Sequence, residues 1–206
     1  MDKQAKEARE QMKQLSGKEK WINFWYYYRV HVIVSVIAVI LIAYTAVECV
    51  NRIDYDMQIS YYSSVPVSDD AVNELTELLK KNVEDINANG STDVFIASCF
   101  ADPEQQSEQT QATLMKLSAE LAAGDSMAYL ADEVYYKRFS SSYSDCFESF
   151  TDLSDKKEIK EMFGLKDGQK LYFAVKALYE KEKDNSKKMA AHDNALKAKV
   201  YLESLK

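Results

Sequence analysis

The feature that most constrains this chain is an apolar run at residues 30–47, which contains no Asp, Glu, Lys or Arg. As an α-helix the run reaches about 27 Å, close to the thickness of the hydrocarbon core of a bilayer. Its valine, isoleucine, leucine and alanine residues would lie on all sides of the helix, whereas a soluble surface helix has one polar face. The run therefore predicts a transmembrane helix, with a buried core helix as the alternative.

The flanks of the run indicate its orientation. Basic residues are concentrated before it, and only Arg52 follows it closely. Because positively charged flanks stay in the cytoplasm, we expect residues 1–29 to form a cytoplasmic tail, residues 30–50 a membrane anchor, and the rest of the chain to be extracellular. Aromatic side chains that favour the headgroup layer also precede the run: Trp21, Phe24, Trp25, Tyr26, Tyr27 and Tyr28.

A cleaved signal peptide is the main alternative to an anchor. The charged region before the run is unusually long for a signal peptide, and Tyr44 occupies the wrong place before Ala46 for a small-residue cleavage site. Lipidation at Cys49 is disfavoured because Glu48 stands where a small residue should precede the cysteine. The sequence thus predicts an uncleaved signal anchor and a single-pass protein of the cell membrane.

The tail before the anchor has apolar residues at helical spacing, Ala5, Ala8, Met12 and Leu15, followed by Gly17. This spacing is typical of a short amphipathic helix on the inner leaflet, and a solvated tail fits the composition equally well. In both cases the tail is too short for a catalytic or signalling domain.

Composition limits the functions that the rest of the chain can have. A chain of 206 residues leaves room for one domain after the anchor. A formal net charge of −7 argues against nucleic acid as a partner, since phosphates repel an acidic surface. With only 2 histidines, metal and triad chemistry lack raw material, and we expect His192 to be an ordinary residue of the last helix.

After the anchor, the hydrophobic pattern alternates between strands and helices. Strands are predicted at residues 56–62, 94–99 and 126–130, the second buried on both faces. A helix with Ser68 as its N-cap follows the first strand, and a helix ending at Ala123 before Gly124 follows the second. Such alternation favours right-handed crossovers, so we expect an α/β domain of three layers with a mainly parallel sheet of order 2-1-3.

The remaining residues extend this domain. Asp132 is a candidate N-cap for a short helix, residues 155–163 a candidate helix, and the segment from Leu171 a possible fourth strand. The α/β domain is expected to cover residues 51–180. Residues 181–206 form a terminal helix, predicted over 186–205, with its apolar face at Met189, Leu196 and Val200.

Three segments, DMQISYYSSVPVSDDAVNELTELL, LAAGDSMAYLADEVYYKRF and LKDGQKLYFAVKALYEKE, resemble uncharacterised single-pass membrane proteins of Firmicutes. The external domain of those proteins is similar to one lobe of an extracellular solute-binding protein. The resemblance covers roughly residues 55–180 and implies a fold, without ligand or catalytic residues. A complete binding protein closes two such lobes around a cleft, and this chain supplies one.

In open α/β sheets, ligands bind beyond the carboxyl ends of the strands. Here those ends form an aromatic and polar rim that could bind a small molecule or a peptide. A lobe that kept the fold and lost the ligand is the alternative. The candidate ligand-binding residues of this rim are Tyr62, Ser63, Ser64, Phe100, Asp102 and Asp132.

Two further sets of residues imitate known sites. Asp85, Asn87, Asn89, Gly90 and Asp93 match the start of a calcium loop, but Ile96 stands where the bidentate carboxylate belongs, so an ordinary turn is favoured.

Cys99 and Cys146 both lie after the anchor and could form a disulfide. Alternatively, Cys99 is a small core residue at the end of a strand.

These observations favour a membrane-anchored, extracytoplasmic, non-enzymatic domain that binds an envelope protein or other ligand and needs no cofactor. The alternative is a tethered solute receptor that works with a transporter. A hydrolase of cell-wall material would need inward-facing paired carboxylates, and the acidic pairs of this chain lie at predicted helix starts, where capping explains them.

Overall fold

A computed structural model describes residues 16–50 and 54–206, and the chain divides into two compact units between Ile53 and Asp54. The predicted tail helix over Ala5, Ala8, Met12 and Leu15 lies outside the described residues. The first unit contains one long helix, and the second unit is built around a β-sheet.

The first unit contains α1, a helix of 34 residues over Gly17–Val50. Ser16 and Glu19 exchange hydrogen bonds between side chain and backbone at its start, the arrangement of a capping box. Within α1, the apolar segment Phe24–Val47 is 24 residues long and contains no buried residue. The expected apolar helix is confirmed, and it is long and apolar enough to span a membrane.

The helix begins before the predicted anchor, so the aromatic flank is helical too. Phe24 stacks on Trp21 and on Tyr28, with ring centroids 5.9 and 5.2 Å apart. These spacings of three and four residues put the rings on one face of α1.

The second unit is built on a five-stranded sheet of order β2-β1-β3-β5-β4. The strands are β1 (Met57–Ser63), β2 (Val94–Phe100), β3 (Ala128–Asp132), β4 (Phe147–Asp152) and β5 (Leu171–Lys176). β1 is parallel to both of its neighbours, with Ile59 opposite Ile96 of β2 and Ala128 of β3.

The prediction of a mainly parallel sheet is wrong, because the sheet is mixed and its full strand order differs from the predicted order. β5 returns antiparallel beside β3, with Leu130 opposite Phe173, and β4 pairs antiparallel with β5. β4 was not expected from the sequence. A register shift between Phe147 and Ser149 interrupts the alternation by which such a strand is recognised.

Helices cover both faces of the sheet, so the three-layer architecture is confirmed. They are α2 (Asp69–Lys80), α3 (Glu108–Ala123), α4 (Glu133–Ser142), a 3₁₀ turn (Ser144–Cys146), α5 (Lys157–Phe163), α6 (Glu180–Lys183) and α7 (Ser186–Ser204). One core places α2, α5 and α7 against the sheet through residues such as Leu75, Ile159 and Leu202. The other places α3 and α4 against the opposite face through Leu117 and Phe139.

The face of α7 that packs on the sheet differs from the predicted one. Ala195, Ala198 and Leu202 are buried. Of the predicted residues, Leu196 is partly buried against the same core, whereas Met189 and Val200 are exposed. Small alanines allow the helix to lie close to the sheet, and polar Asn194 is buried with them because its amide finds backbone partners in Asp56 and Glu84.

The second strand also differs from its prediction. β2 is at an edge of the sheet, and Phe95 and Phe100 are 39% and 44% exposed rather than buried. An apolar run fits a central strand and an edge strand equally well, so the sequence alone could not place it.

Candidate functional site

The structure brings together three of the predicted rim residues at the carboxyl ends of β1 and β3. Oδ2 of Asp132 accepts hydrogen bonds from the backbone N–H of Ser64 at 2.6 Å and from its hydroxyl at 2.5 Å. The Ser63 hydroxyl lies 3.5 Å from the same oxygen. Because β1 and β3 are adjacent and parallel, their ends meet at one edge of the sheet and the three side chains meet with them.

The second oxygen of Asp132 caps α4. Oδ1 accepts from the backbone N–H of Tyr135 at 2.9 Å, which confirms Asp132 as the N-cap. The carboxylate therefore joins the loop after β1 to the start of α4, and its acceptor positions are used within the protein. Burial and the Asp132 carboxylate raise the pKa of Tyr61, so this neighbouring phenol stays neutral at ordinary pH.

Tyr62 does not face the rim. It is fully buried in the core under α3 and α4, where its hydroxyl donates to Glu120 at 2.8 Å. Burial and this hydrogen bond raise the pKa of Tyr62, which keeps the phenol protonated. Its part is to join the sheet to α3.

Phe100 is the last residue of β2, and Asp102 follows the strand. The Phe100 ring is exposed, and the Asp102 carboxylate accepts from the backbone N–H of Glu104 at 3.0 Å and from Nε2 of Gln105 at 2.9 Å. The carbonyl of Ala101, between them, accepts from the Tyr135 hydroxyl at 2.8 Å. Asp102 therefore organises a turn, and Phe100 presents an apolar surface beside it.

The residues that imitate a calcium loop instead accept hydrogen bonds from their own backbone. Asp85 accepts from the N–H groups of Asn89 and Gly90, and Asn87 also accepts from Asn89. Within the described ranges 16–50 and 54–206, no group of three His, Cys, Asp or Glu side chains could hold a metal ion. These contacts hold the segment as a turn between α2 and β2.

Sequence reasoning missed the residue that anchors this turn. Asp56 is fully buried, and its carboxylate accepts from the backbone N–H groups of Ile86, Asn87 and Asp93 at 2.8 to 3.1 Å. Its partners lie about thirty residues further along the chain, so no local pattern could reveal them.

A buried ion cluster was also missed. Lys176, at the end of β5, is fully buried, and its Nζ lies 2.8 Å from Glu182 Oε2 and 4.2 Å from the centroid of the Tyr179 ring. Lys188 reaches the other Glu182 oxygen at 3.0 Å and the carbonyl of Ala123 at 2.6 Å. The only local signal is a lysine at the end of an apolar strand.

The protonation of this cluster follows from its hydrogen bonds. Burial opposes the charge of Glu182, but hydrogen bonds from Lys176, the Tyr179 backbone and Lys188 outweigh it and lower its pKa to about 2. Glu182 is thus ionised at neutral pH. The cluster joins the ends of α3 and β5 to α6 and α7, which is a structural role.

Cys99 and Cys146 are free thiols with different neighbours. Lys116 Nζ lies 3.0 Å from Cys99 Sγ, and the Tyr179 hydroxyl lies 3.2 Å from Cys146 Sγ. Both are half-buried and pack against the core under α3 and α4, so Cys99 lies at the margin of the core and not within it.

The only histidine after α1 in the sequence, His192, is mostly buried on α7, and its Nε2 lies 2.9 Å from Glu148 Oε2.

The fold and these contacts define a helix able to span a membrane, followed by a three-layer α/β domain whose polar clusters bind groups of the domain itself. Comparison with protein families, curated proteins and solved structures finds no match to this chain.

Proposed function

We propose that this chain is a membrane-anchored, non-enzymatic interaction protein whose α/β domain lies on the extracytoplasmic side of a cell membrane. The observation that carries the proposal is the unburied apolar segment Phe24–Val47, which belongs to a compact unit separate from the α/β domain. A helix of this kind is stable in a lipid environment and exposes its apolar surface unfavourably in water.

The side of the membrane follows from charge. Lys18, Lys20 and Arg29 precede the apolar core of α1, and the other basic residues of the tail precede them. Positive flanks are retained in the cytoplasm, so the domain that follows α1 is on the opposite side.

The contacts of the strand-end rim favour interaction over catalysis. A general acid or base needs a carboxyl group that can reach a substrate proton, and the Asp132 oxygens already accept from Ser64 and Tyr135. The same contacts weigh against the alternative of a tethered solute receptor, because polar rim groups that bind one another are not available to orient a solute.

Labelling of introduced cysteines tests the anchor and its orientation. In a chain whose 3 native cysteines are replaced by serine, Met115→Cys on α3 and Lys18→Cys at the start of α1 offer exposed thiols in the two units. A membrane-impermeant maleimide should label Met115→Cys in intact cells and Lys18→Cys only after permeabilisation. The reverse order overturns the orientation, and release of the protein by an alkaline wash overturns the anchor.

Thermal unfolding of the full chain in detergent distinguishes the two functions. Saturable stabilisation by one sugar, amino acid or short peptide, rising as RT ln(1 + [L]/Kd), would favour the solute receptor. An unfolding temperature unchanged across such a panel supports an interaction protein.

A further inference from the structure

The two edges of the sheet differ in how they resist pairing with another strand. β4 carries Glu148 and Asp152 and has an irregular register, devices that block edge-to-edge association. β2, at the other edge, reads VFIASCF, without charge, proline or irregularity. Its exposed Phe95 and Phe100 rings add apolar surface. β2 is therefore the edge on which an added strand would be stable.

The hydrogen-bond pattern shows which groups of β2 are open. The Asp93 carbonyl accepts from Met57, and the Ala101 N–H donates to Ser63, so the odd-numbered residues of β2 face β1. Backbone groups alternate in direction along a strand, which turns those of Val94, Ile96, Ser98 and Phe100 outward.

One of the four outward residues is already engaged. The Phe100 carbonyl accepts from Nε2 of Gln109 at 3.0 Å. Among residues 16–50 and 54–206, the outward N–H and C=O groups of Val94, Ile96 and Ser98 have no hydrogen-bond partner. The open part of the edge is centred on Ile96.

We propose that β2 pairs antiparallel with β2 of a second copy of this chain, about a two-fold axis at Ile96. This inference rests on the proposed interaction role and names the partner. Ile96 would face its own counterpart, and Val94 would face Ser98 of the second copy, so that every open backbone group is paired without Phe100. The two sheets would then form one continuous sheet.

The side chains of β2 fit this register between two copies of the chain. On the face towards α3, the large exposed Phe95 ring would face the small Ala97 of the second copy, and Ala97 would face the second Phe95. On the other face, Val94 would face the small side chain of Ser98. Since β2 has no charge, like charges do not meet across the axis.

The anchor favours the same partner. Helices in one membrane confine copies of the chain to two dimensions in a common orientation, which raises their effective concentration. An edge contact that holds a dimer in detergent would thus be populated still more fully on a membrane.

The first test removes one outward N–H. Ser98→Pro deletes it while leaving the groups that face β1, and Ser98→Ala is the matched control that keeps it. In detergent, the wild type and Ser98→Ala should sediment as dimers and Ser98→Pro as a monomer with an unchanged circular dichroism spectrum. A monomeric wild type, or a folded Ser98→Pro chain that remains dimeric, overturns the inference.

The second test needs no disruption of the fold. In the cysteine-free chain, Phe95→Cys and Ala97→Cys would face each other between copies as a non-hydrogen-bonded pair about 4.5 Å apart at Cα, within the range of a disulfide. Differently tagged chains of the two variants should crosslink when mixed, and neither should crosslink alone. Crosslinking of Ala97→Cys alone, or none in the mixture, overturns the register.

Failure of this pairing is distinguishable from failure of the proposed function. Sedimentation and crosslinking in detergent do not depend on which side of the membrane carries the domain, and cysteine labelling in cells does not depend on pairing.

Discussion

The Asp132 carboxylate joins β1, β3 and α4, and its removal tests a structural role. Asp132→Ala deletes the N-cap of α4 and the acceptor for Ser64. A cap contributes about 1 kcal/mol and a hydrogen bond to a charged group about 1.5–3 kcal/mol, so the free energy of unfolding should fall by roughly 2–4 kcal/mol. Urea unfolding measures the change, with exposed Asp167→Ala as control. Equal losses in the two variants would return the rim to a ligand-binding interpretation.

Residues differ in how far their sequence context reveals them. The cap at Asp132 could be predicted because it depends on the neighbouring helix start. Asp56 and Asn194 could not, because Asp56 binds the loop at residues 86–93 and Asn194 binds Asp56 and Glu84 across the fold. The sequence placed Ser63, Ser64 and Asp132 at one edge of the sheet, but their hydrogen bonds to one another could not be predicted from local patterns.

The low pKa of Glu182 makes a prediction about acid stability. Because the pKa is lowered from about 4.5 to about 2 on folding, Glu182 contributes stability that is complete above about pH 4.5 and is lost as pH falls toward 2. Glu182→Gln removes this contribution. Urea unfolding at pH 7, 4.5 and 3 should show a smaller loss with acid in the variant than in the wild type, and parallel losses would contradict the prediction.

At the scale of elements, two helices end at a glycine with a left-handed backbone. Gly124 follows α3 with φ of 66°, and Gly164 follows α5 with φ of 59°. Both positions strain any residue with a Cβ, but their surroundings differ. A Cβ at Gly124 would overlap the Glu182 carboxylate and lie 2.9 Å from Lys188 Nζ, whereas a Cβ at Gly164 meets no atom within 4 Å.

This pair separates backbone strain from crowding. Gly164→Ala should lower the free energy of unfolding by about 1 kcal/mol through strain alone. Gly124→Ala should cost more, because it also displaces Glu182 from Lys176 or Lys188. Thermal and urea unfolding of both variants measure the difference. Equal effects would show that the ion cluster yields to the added methyl group without loss.

Elements whose apolar residues recur at a regular spacing could be predicted from the sequence, whereas elements defined by their packing could not. The hydrophobic pattern after Ser68 predicted α2, and Gly124 predicted the end of α3. The direction of β5 depends on β4, whose own pattern is broken between Phe147 and Ser149. The inward face of α7 depends on alanines, which mark neither face of a helix by size or polarity.

At the scale of the whole molecule, the sequence alone distinguishes a segment suited to lipid from a segment suited to water. The charge-free run defined the segment suited to lipid, and the alternation of elements defined a layered domain beyond it. The mixed order of the sheet was not accessible, because strand order is decided by contacts between the last strands and β3 and not by local pattern.

The division into two units predicts that the α/β domain folds without α1. Both buried cores consist of residues of Asp54–Lys206, and no part of Phe24–Val47 is buried. A chain that starts at Asp54 should therefore unfold in one cooperative urea transition, with the midpoint of the domain in the full chain.

A matched truncation at the other end provides the contrast. Ending the same chain at Asn185 removes α7 and with it Ala195, Ala198 and Leu202 of the core against the sheet. Loss of these side chains exposes the apolar face of β1 and β5, so this shorter chain should bind a hydrophobic dye and lack a cooperative transition. If the chain from Asp54 to Lys206 behaves in the same way, the domain depends on residues before Asp54, and the boundary between the two units is not a boundary of folding.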